Sequence, residues 1–222
     1  FFAEIFNKTS ADGRYLQIDT SVFNITTSTD KSLSRKLVLD SDGKERFGKY
    51  LSKMSSYVGT IEDYPYPFVI NRLCWEFPCV VPSDWEAQNL IGNQKPQMLE
   101  DWKRALDVTV HKQGVMNLVF HPHGWSSSAQ LVEFIDYAQK TYGRKVKFLN
   151  FRECAERLNK RLLMGSSLRS KHGGDNGVRI LDVNNDGFMD VLIREKKLTR
   201  IWNPKESIWK EYKLPFDPLQ TM

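Results

Sequence analysis

Two short stretches of this chain hold residue types at spacings that suit chemistry. The first is the end of VMNLVFHPHGW, residues 115–125, where an apolar run of strand length stops at His121, Pro122, His123, Gly124 and Trp125. Imidazoles as a class titrate near neutral pH, so a strand-end histidine is a candidate for giving or taking a proton. The plainer alternative for His121 is a ring bonded to nearby backbone. The second stretch is Asp182, Asn184, Asp186, Gly187 and Asp190, which spell D-x-N-x-D-G-x-x-D. This spacing lets alternate oxygens converge on one hard cation while the glycine permits a sharp turn, and the Phe188 carbonyl adds a ligand. Calcium is the natural ion, and a solvated acidic turn is the alternative. Position twelve is Ile193 where an EF-hand has Glu, and residues 178–181 and 191–193 read as strands, so a β-hairpin with a calcium turn is expected.

The elements around the first stretch read as its scaffold. Residues 98–112 carry Leu99, Trp102, Ala105, Leu106 and Val110 at the spacing of one helix face, and Gly114 follows as a stop. Ser126, Ser127 and Ser128 supply N-cap candidates for a helix with an inner face of Leu131, Phe134 or Ile135, and Ala138, closed by Gly143. Helix, strand, corner and helix form an α/β unit, and in such units ligands and catalytic groups gather at the carboxyl ends of the strands. His121 is therefore expected on that rim. Residues 144–149 read as a second strand. Asn150 and Glu153 make a capping-box start for a helix over 151–163, with a stripe of Phe151, Cys154, Leu158 and Leu162.

Upstream, residues 1–60 alternate strand-like runs at 1–6 and 15–26 with turn signals at Asp12-Gly13 and Asp42-Gly43, and residues 46–57 read as a short helix. Residues 64–89 are rich in proline and aromatic side chains. They read as a rim loop with rigid turns, regular only near 68–70, and carry Arg72, Trp75, Glu76, Asp84 and Trp85; a well-packed, proline-braced loop accounts for them without function. Residues 165–177 are rich in Gly and Ser and mark the clearest domain boundary, dividing residues 1–165 from 178–222 by a linker at 166–177.

At 222 residues the chain can bury one good core and a second, smaller one. A formal charge of +5 and an isoelectric point near 9.0 are mild. The densest basic run, Arg157, Lys160, Arg161, Arg169 and Lys171, sits at a helix end where cations favour the dipole, and no aromatic platform accompanies it, so no nucleic acid partner is expected. No stretch is long and apolar enough to span a membrane, and no signal peptide is visible. Phe1 lies inside sequence that already looks structured, so a natural start upstream is expected. The three cysteines are too few for a disulfide framework and fit no zinc spacing. Cys154 reads as a core residue, and Cys74 and Cys79 would pair only if the Pro78 turn brought them together. Sequons at Asn7 and Asn24 are short matches without weight.

The VRILDVNNDGFMDVLI stretch resembles the calcium-turn repeats called FG-GAP or VCBS, which build β-propeller blades in secreted and cell-surface proteins. One hairpin cannot bury its own core, so the resemblance implies further blades beyond Met222. LVFHPHG followed by LVEFIDYAQKTYGRKVKFLNFRECAERL resembles the C-terminal part of polysaccharide deacetylases of the NodB-homology type. That resemblance implies the C-terminal portion of a distorted (β/α) barrel, followed by a small, propeller-blade-like all-β segment, with a secreted or cell-envelope location. It implies metal-dependent hydrolysis of N-acetyl or O-acetyl groups on a polysaccharide. His121 matches the family's strand-end histidine and would be the general acid. NRLCWEFP and PSDW are similar to further family elements, mapping roles to Arg72 and to Asp84 with Trp85. Asp84 would orient His121, while Trp85 and Trp125 would wall the acetyl or sugar face. His123 would add to the substrate side but matter less, because it follows Pro122 and is expected to point off the rim. The family's early Asp-Asp pair and His-x-x-x-His element are absent, so ligands for a zinc-type ion are expected upstream of Phe1. The alternative is a non-catalytic glycan-binding or adhesion module with a calcium-binding propeller.

Overall fold

The structure, a computed structural model, describes residues 5, 8, 14–51, 59–186 and 188–213. Most of the strand expected at 1–6, the Asp12-Gly13 turn, the Asn7 sequon, Gly187 and residues 52–57 of an expected helix lie outside the described residues.

Strands β1 (Ile18–Asp19) and β2 (Phe23–Ile25) come first, followed by the short helices α1 (Arg35–Val38) and α2 (Gly48–Leu51). Strands β3 (Thr60–Glu62), β4 (Phe68–Ile70), β5 (Cys74–Glu76) and β6 (Cys79–Val80) lead to helices α3 (Asp84–Ile91), α4 (Pro96–Lys112), α5 (Ser128–Tyr142) and α6 (Phe151–Arg157). The chain then forms β7 (Val178–Leu181), β8 (Asp190–Ile193), β9 (Leu198–Asn203) and β10 (Ile208–Lys213). This is a mixed α/β protein; the described residues form three sheets, none of which closes into a barrel. No helix among those residues is long and apolar enough to cross a membrane.

The chain divides into two compact units that are not continuous in sequence. One comprises residues 20–67 and 77–148. Its sheet has the order β3-β2-β6 with all pairs parallel, and a parallel bridge from Cys79 to Asn117 adds the run before His121 to its edge. Met98, Leu99, Trp102, Ala105 and Leu106 of α4 are buried with Phe134 and Ala138 of α5 against Val80, Val81, Phe47 and Tyr50. These are the i, i+3, i+4 positions that give an amphipathic helix one apolar face. Phe134 takes the inner position, and Ile135 is 43% exposed. Ser127 caps α5 reciprocally with Gln130, and Gly143 follows its last turn.

Three expectations change along this part of the chain. The run 115–120 makes one bridge and no extended ladder, because it lies at the sheet edge and its Asn117 and Val119 carbonyls accept from Val80 and Asp84 N–H. Residues 144–149 form no strand: a 3₁₀ turn at Gly143–Lys145 is followed by an extended run without a sheet partner. Residues 64–89 hold three strands and α3. Their prolines sit at strand margins, where no ladder N–H is required, and the buried run CWEFPCVV follows the continuous pattern of strands covered on both faces. All three cysteines are free thiols, so Cys74 and Cys79 are not bonded; Cys154 is only half-buried. Asn24 is buried and accepts Tyr64 N–H through its side-chain carbonyl at 2.8 Å, so its sequon is inaccessible in this fold.

The other unit comprises residues 1–19, 68–76 and 149–222. It holds the sheet β1-β5-β4 and the antiparallel meander β10-β9-β8-β7. Helix α6 continues as π-helical Leu158–Leu162, and the expected stripe is displaced: Phe151 is 41% exposed, while Ala155 and Leu163 are buried. Residues 165–177 are packed structure and not a linker. Arg169 is buried, donates to the Leu73 and Gly173 carbonyls at 3.3 and 2.8 Å, and lies over the Tyr15 ring. The glycines there meet turn geometry: Gly177 has φ +69°, and a Cβ on it would meet Arg194 at 2.8 Å.

The expected division at 166–177 therefore gives way to one in which α6 belongs with the β meander. Arg200 of β9 supplies the physical reason. Its guanidinium donates to the Arg161 and Leu162 carbonyls at the helix end, stacks over Trp209 and pairs with Glu211. Arg200→Met is expected to destabilise this unit by about 1–3 kcal/mol, because two carbonyls lose a buried donor. A urea midpoint unchanged within error would show that the helix end does not depend on Arg200.

Candidate functional site

The site is built where β6 and the 115–120 run end side by side. Past Val80, the chain enters α3 through a capping box: Ser83 Oγ accepts Trp85 and Glu86 N–H at 3.2 and 3.5 Å, while the Glu86 carboxylate accepts Ser83 N–H. This S-x-x-E start fixes Asp84 as the first helical residue. The parallel bridge keeps the neighbouring run in step, so His121 follows Asn117 much as Asp84 follows Val80.

Asp84 is fully buried and both its oxygens serve the neighbouring corner. Oδ2 accepts His121 N–H at 2.7 Å, Oδ1 lies 2.7 Å from His121 Nδ1, and Ser126 Oγ donates to Oδ2 at 3.4 Å. One carboxylate thus grips both the backbone and the ring of the same histidine. With Nδ1 turned to Asp84, Nε2 on the far side of the ring is the nitrogen presented to a reacting group. The His121 side chain is 37% exposed, so it can be reached. A buried carboxylate orienting an accessible imidazole is an arrangement for proton transfer.

The corner is held by Gln94, whose backbone N–H donates to the Trp125 carbonyl at 2.7 Å and whose side-chain amide donates to the Gly124 carbonyl at 2.9 Å. Gly124 has φ +78°, a turn that other residues rarely adopt. Three rings gather there. His121 and Trp125 have centroids 4.8 Å apart, His123 and Trp125 5.1 Å, and His121 and His123 5.9 Å with planes 16° apart. His123 therefore stands beside His121 and does not turn away from it, a correction to the expectation drawn from Pro122. Trp85 sits half-buried in the first turn of α3. Arg72 is in the other unit, exposed in the β4–β5 turn at φ +69°. Gln94, which no sequence pattern marked, and Ser126, expected only as an N-cap candidate, join the corner, since no local pattern marks a contact made across the fold.

In the meander unit, the acidic turn folds onto itself. Asp186 N–H donates to Asp182 and Asn184, Phe188 N–H donates to Asp186, and Asp190 accepts from Val183 and Trp202 N–H, both at 2.9 Å. Asp190 is fully buried. Its carboxyl is pushed above the usual range, first by burial and further by the charges of Asp186 and Asp182, against the lowering effect of those two backbone donors. Among the described residues no three His, Cys, Asp or Glu side chains stand arranged as a metal cage. At the corner, both Asp84 oxygens are taken by His121, so this carboxylate orients the ring for proton transfer and does not itself serve as a metal ligand, while His121 Nε2 faces away from it. No family model, curated protein or solved structure matches this chain.

Proposed function

We propose that the Asp84–His121 pair is the proton-transfer element of a hydrolase that removes N-acetyl or O-acetyl groups from a polysaccharide, acting outside the cell or in its envelope. The observation that carries this reading is the two-point grip of buried Asp84 on His121. Amide hydrolysis needs a proton for the departing amine, and an imidazole held by Nδ1 can deliver it from Nε2. Asp84 fixes the position and orientation of the ring. Trp125 and His123 offer ring faces beside that nitrogen for the apolar face of a sugar, and Trp85 lies next to Asp84 in the chain. In this reaction class a bound metal supplies an activated water and polarises the carbonyl. The test is acetate release from acetylated glycans by the full-length protein. Glycan binding without acetate release, in wild type with the pair intact, would overturn this reading in favour of a binding module.

For the meander unit we propose a blade-like sheet with a calcium turn. A four-stranded antiparallel meander and a buried carboxylate facing two further acids support it. A cation would offset the burial and, beyond it, the neighbouring acidic charges that raise Asp190, with oxygens drawn from Asp182, Asn184, Asp186, the Phe188 carbonyl and Asp190. Because the folded-state value of Asp190 is raised, its ionisation opposes folding as pH rises through that value, and calcium should remove this penalty near neutral pH. Calcium at about 1 mM, the range of extracellular oxygen sites, is expected to raise the melting temperature at pH 7. Asp186→Ala should abolish the shift. Equal melting temperatures with calcium and with chelator would leave the turn merely acidic.

A further inference from the structure

We infer that His121 and His123 together hold a borderline divalent first-row ion such as Zn²⁺ at the corner. The two imidazoles are 5.9 Å apart between centroids with planes 16° apart. Two imidazoles sharing one tetrahedral ion through bonds of about 2.0–2.1 Å have ring centres roughly 5–6 Å apart. The centroid spacing suits a shared ion, which the exposed His123 ring would meet by turning a nitrogen toward His121 Nε2. Its backbone is set by Pro122 before it and by the Gly124 turn after it, so ring rotation is the movement that remains.

A second observation points to a ligand independently. His121 presents Nδ1 to a fully buried carboxylate at 2.7 Å. A metal-ligating histidine almost always donates its other ring N–H in this way, which fixes the tautomer and the direction of the outward nitrogen. Imidazole ligands select zinc, copper or nickel and disfavour calcium, which takes oxygen ligands. Trp125 lies against both rings, and the open positions on the ion would be filled by water. An ion on Nε2 occupies the nitrogen from which a proton would be given. On the reading of His121 as a general acid, which this consequence alone rests on, excess zinc inhibits.

The binding itself is tested without activity. Zinc chloride is titrated into the full-length protein by calorimetry, and the same titration is run on His123→Gln, His121→Ala and Asp84→Asn. One zinc per chain present in wild type should be missing, or bound at least 10-fold more weakly, in His123→Gln and His121→Ala. Asp84→Asn should weaken it by about 10-fold to 100-fold through the outer carboxylate. His123→Gln changes an exposed side chain, and an unaltered circular dichroism spectrum shows that its fold persists. A zinc stoichiometry and affinity in His123→Gln equal to wild type would overturn the shared site. Failure of acetate release would remove the deacetylase reading while leaving the zinc titration as it stands.

Discussion

His121→Ala is expected to lower acetate release by about 100-fold to 10,000-fold, the usual contribution of one general acid. The expectation rests on Asp84, whose oxygens contact both His121 N–H and Nδ1 at 2.7 Å. Asp84→Asn replaces one accepting oxygen with a donating amide, which breaks one of the two contacts that hold the ring and its tautomer. It should lower kcat by at least about 100-fold while KM changes little, because the loss falls on proton transfer and not on glycan contacts. His123→Ala should cost less than His121→Ala and show mainly in KM, since its ring stands beside those of His121 and Trp125 while the proton-transfer contact runs from Asp84 to His121. Initial rates across a glycan concentration series separate these outcomes. A His121→Ala protein with wild-type kcat would reduce the corner to scaffold.

Asp101→Ala is expected to destabilise the unit of residues 20–67 and 77–148 by about 3–5 kcal/mol, the cost of breaking a buried ion pair from one side. Asp101 is fully buried on α4. It accepts from Arg46 Nη1 at 2.9 Å, Tyr50 OH at 2.5 Å and Gln97 Nε2 at 2.9 Å, with Lys49 Nζ at 3.4 Å. Arg46 and Lys49 would keep Asp40, at 3.1 and 2.7 Å, but the Tyr50 hydroxyl would stay buried without its acceptor. Tyr50 is already pushed well above the ordinary phenol range, first by burial and then by the Asp101 charge, so it cannot escape by ionising. Tyr50→Phe removes one hydrogen bond to a charged group and should cost less, about 1.5–3 kcal/mol. Urea unfolding of both variants decides the matter. A loss below about 1 kcal/mol for Asp101→Ala would show the network to be dispensable.

What could be read from the sequence is what short-range geometry controls. The apolar spacing of α4 and α5, the Ser127–Gln130 and Asn150–Glu153 boxes, and the hairpin around the acidic turn all depend on contacts a few residues apart. Those contacts are encoded by neighbouring side chains. The prolines of residues 64–89 misled because proline excludes a ladder donor without excluding strand margins. The Gly- and Ser-rich 165–177 segment misled because composition does not reveal that Arg169 is buried there.

The pairing of Asp84 with His121 spans 37 positions and was not determined by any local pattern. It exists because two parallel runs, β6 and 115–120, lie in register and end at the same level. Likewise α6 joins the β meander through Arg200, 38 residues from the Leu162 carbonyl it caps. Sequence by itself determined the helices, their caps, the acidic turn and the strand-end histidine, since each is stabilised by its neighbours in the chain. Only the tertiary structure decided which strands pair, where the units divide and that both oxygens of Asp84, the carboxylate the resemblance had implied, meet His121, because those contacts depend on burying surfaces that meet only after distant segments have packed.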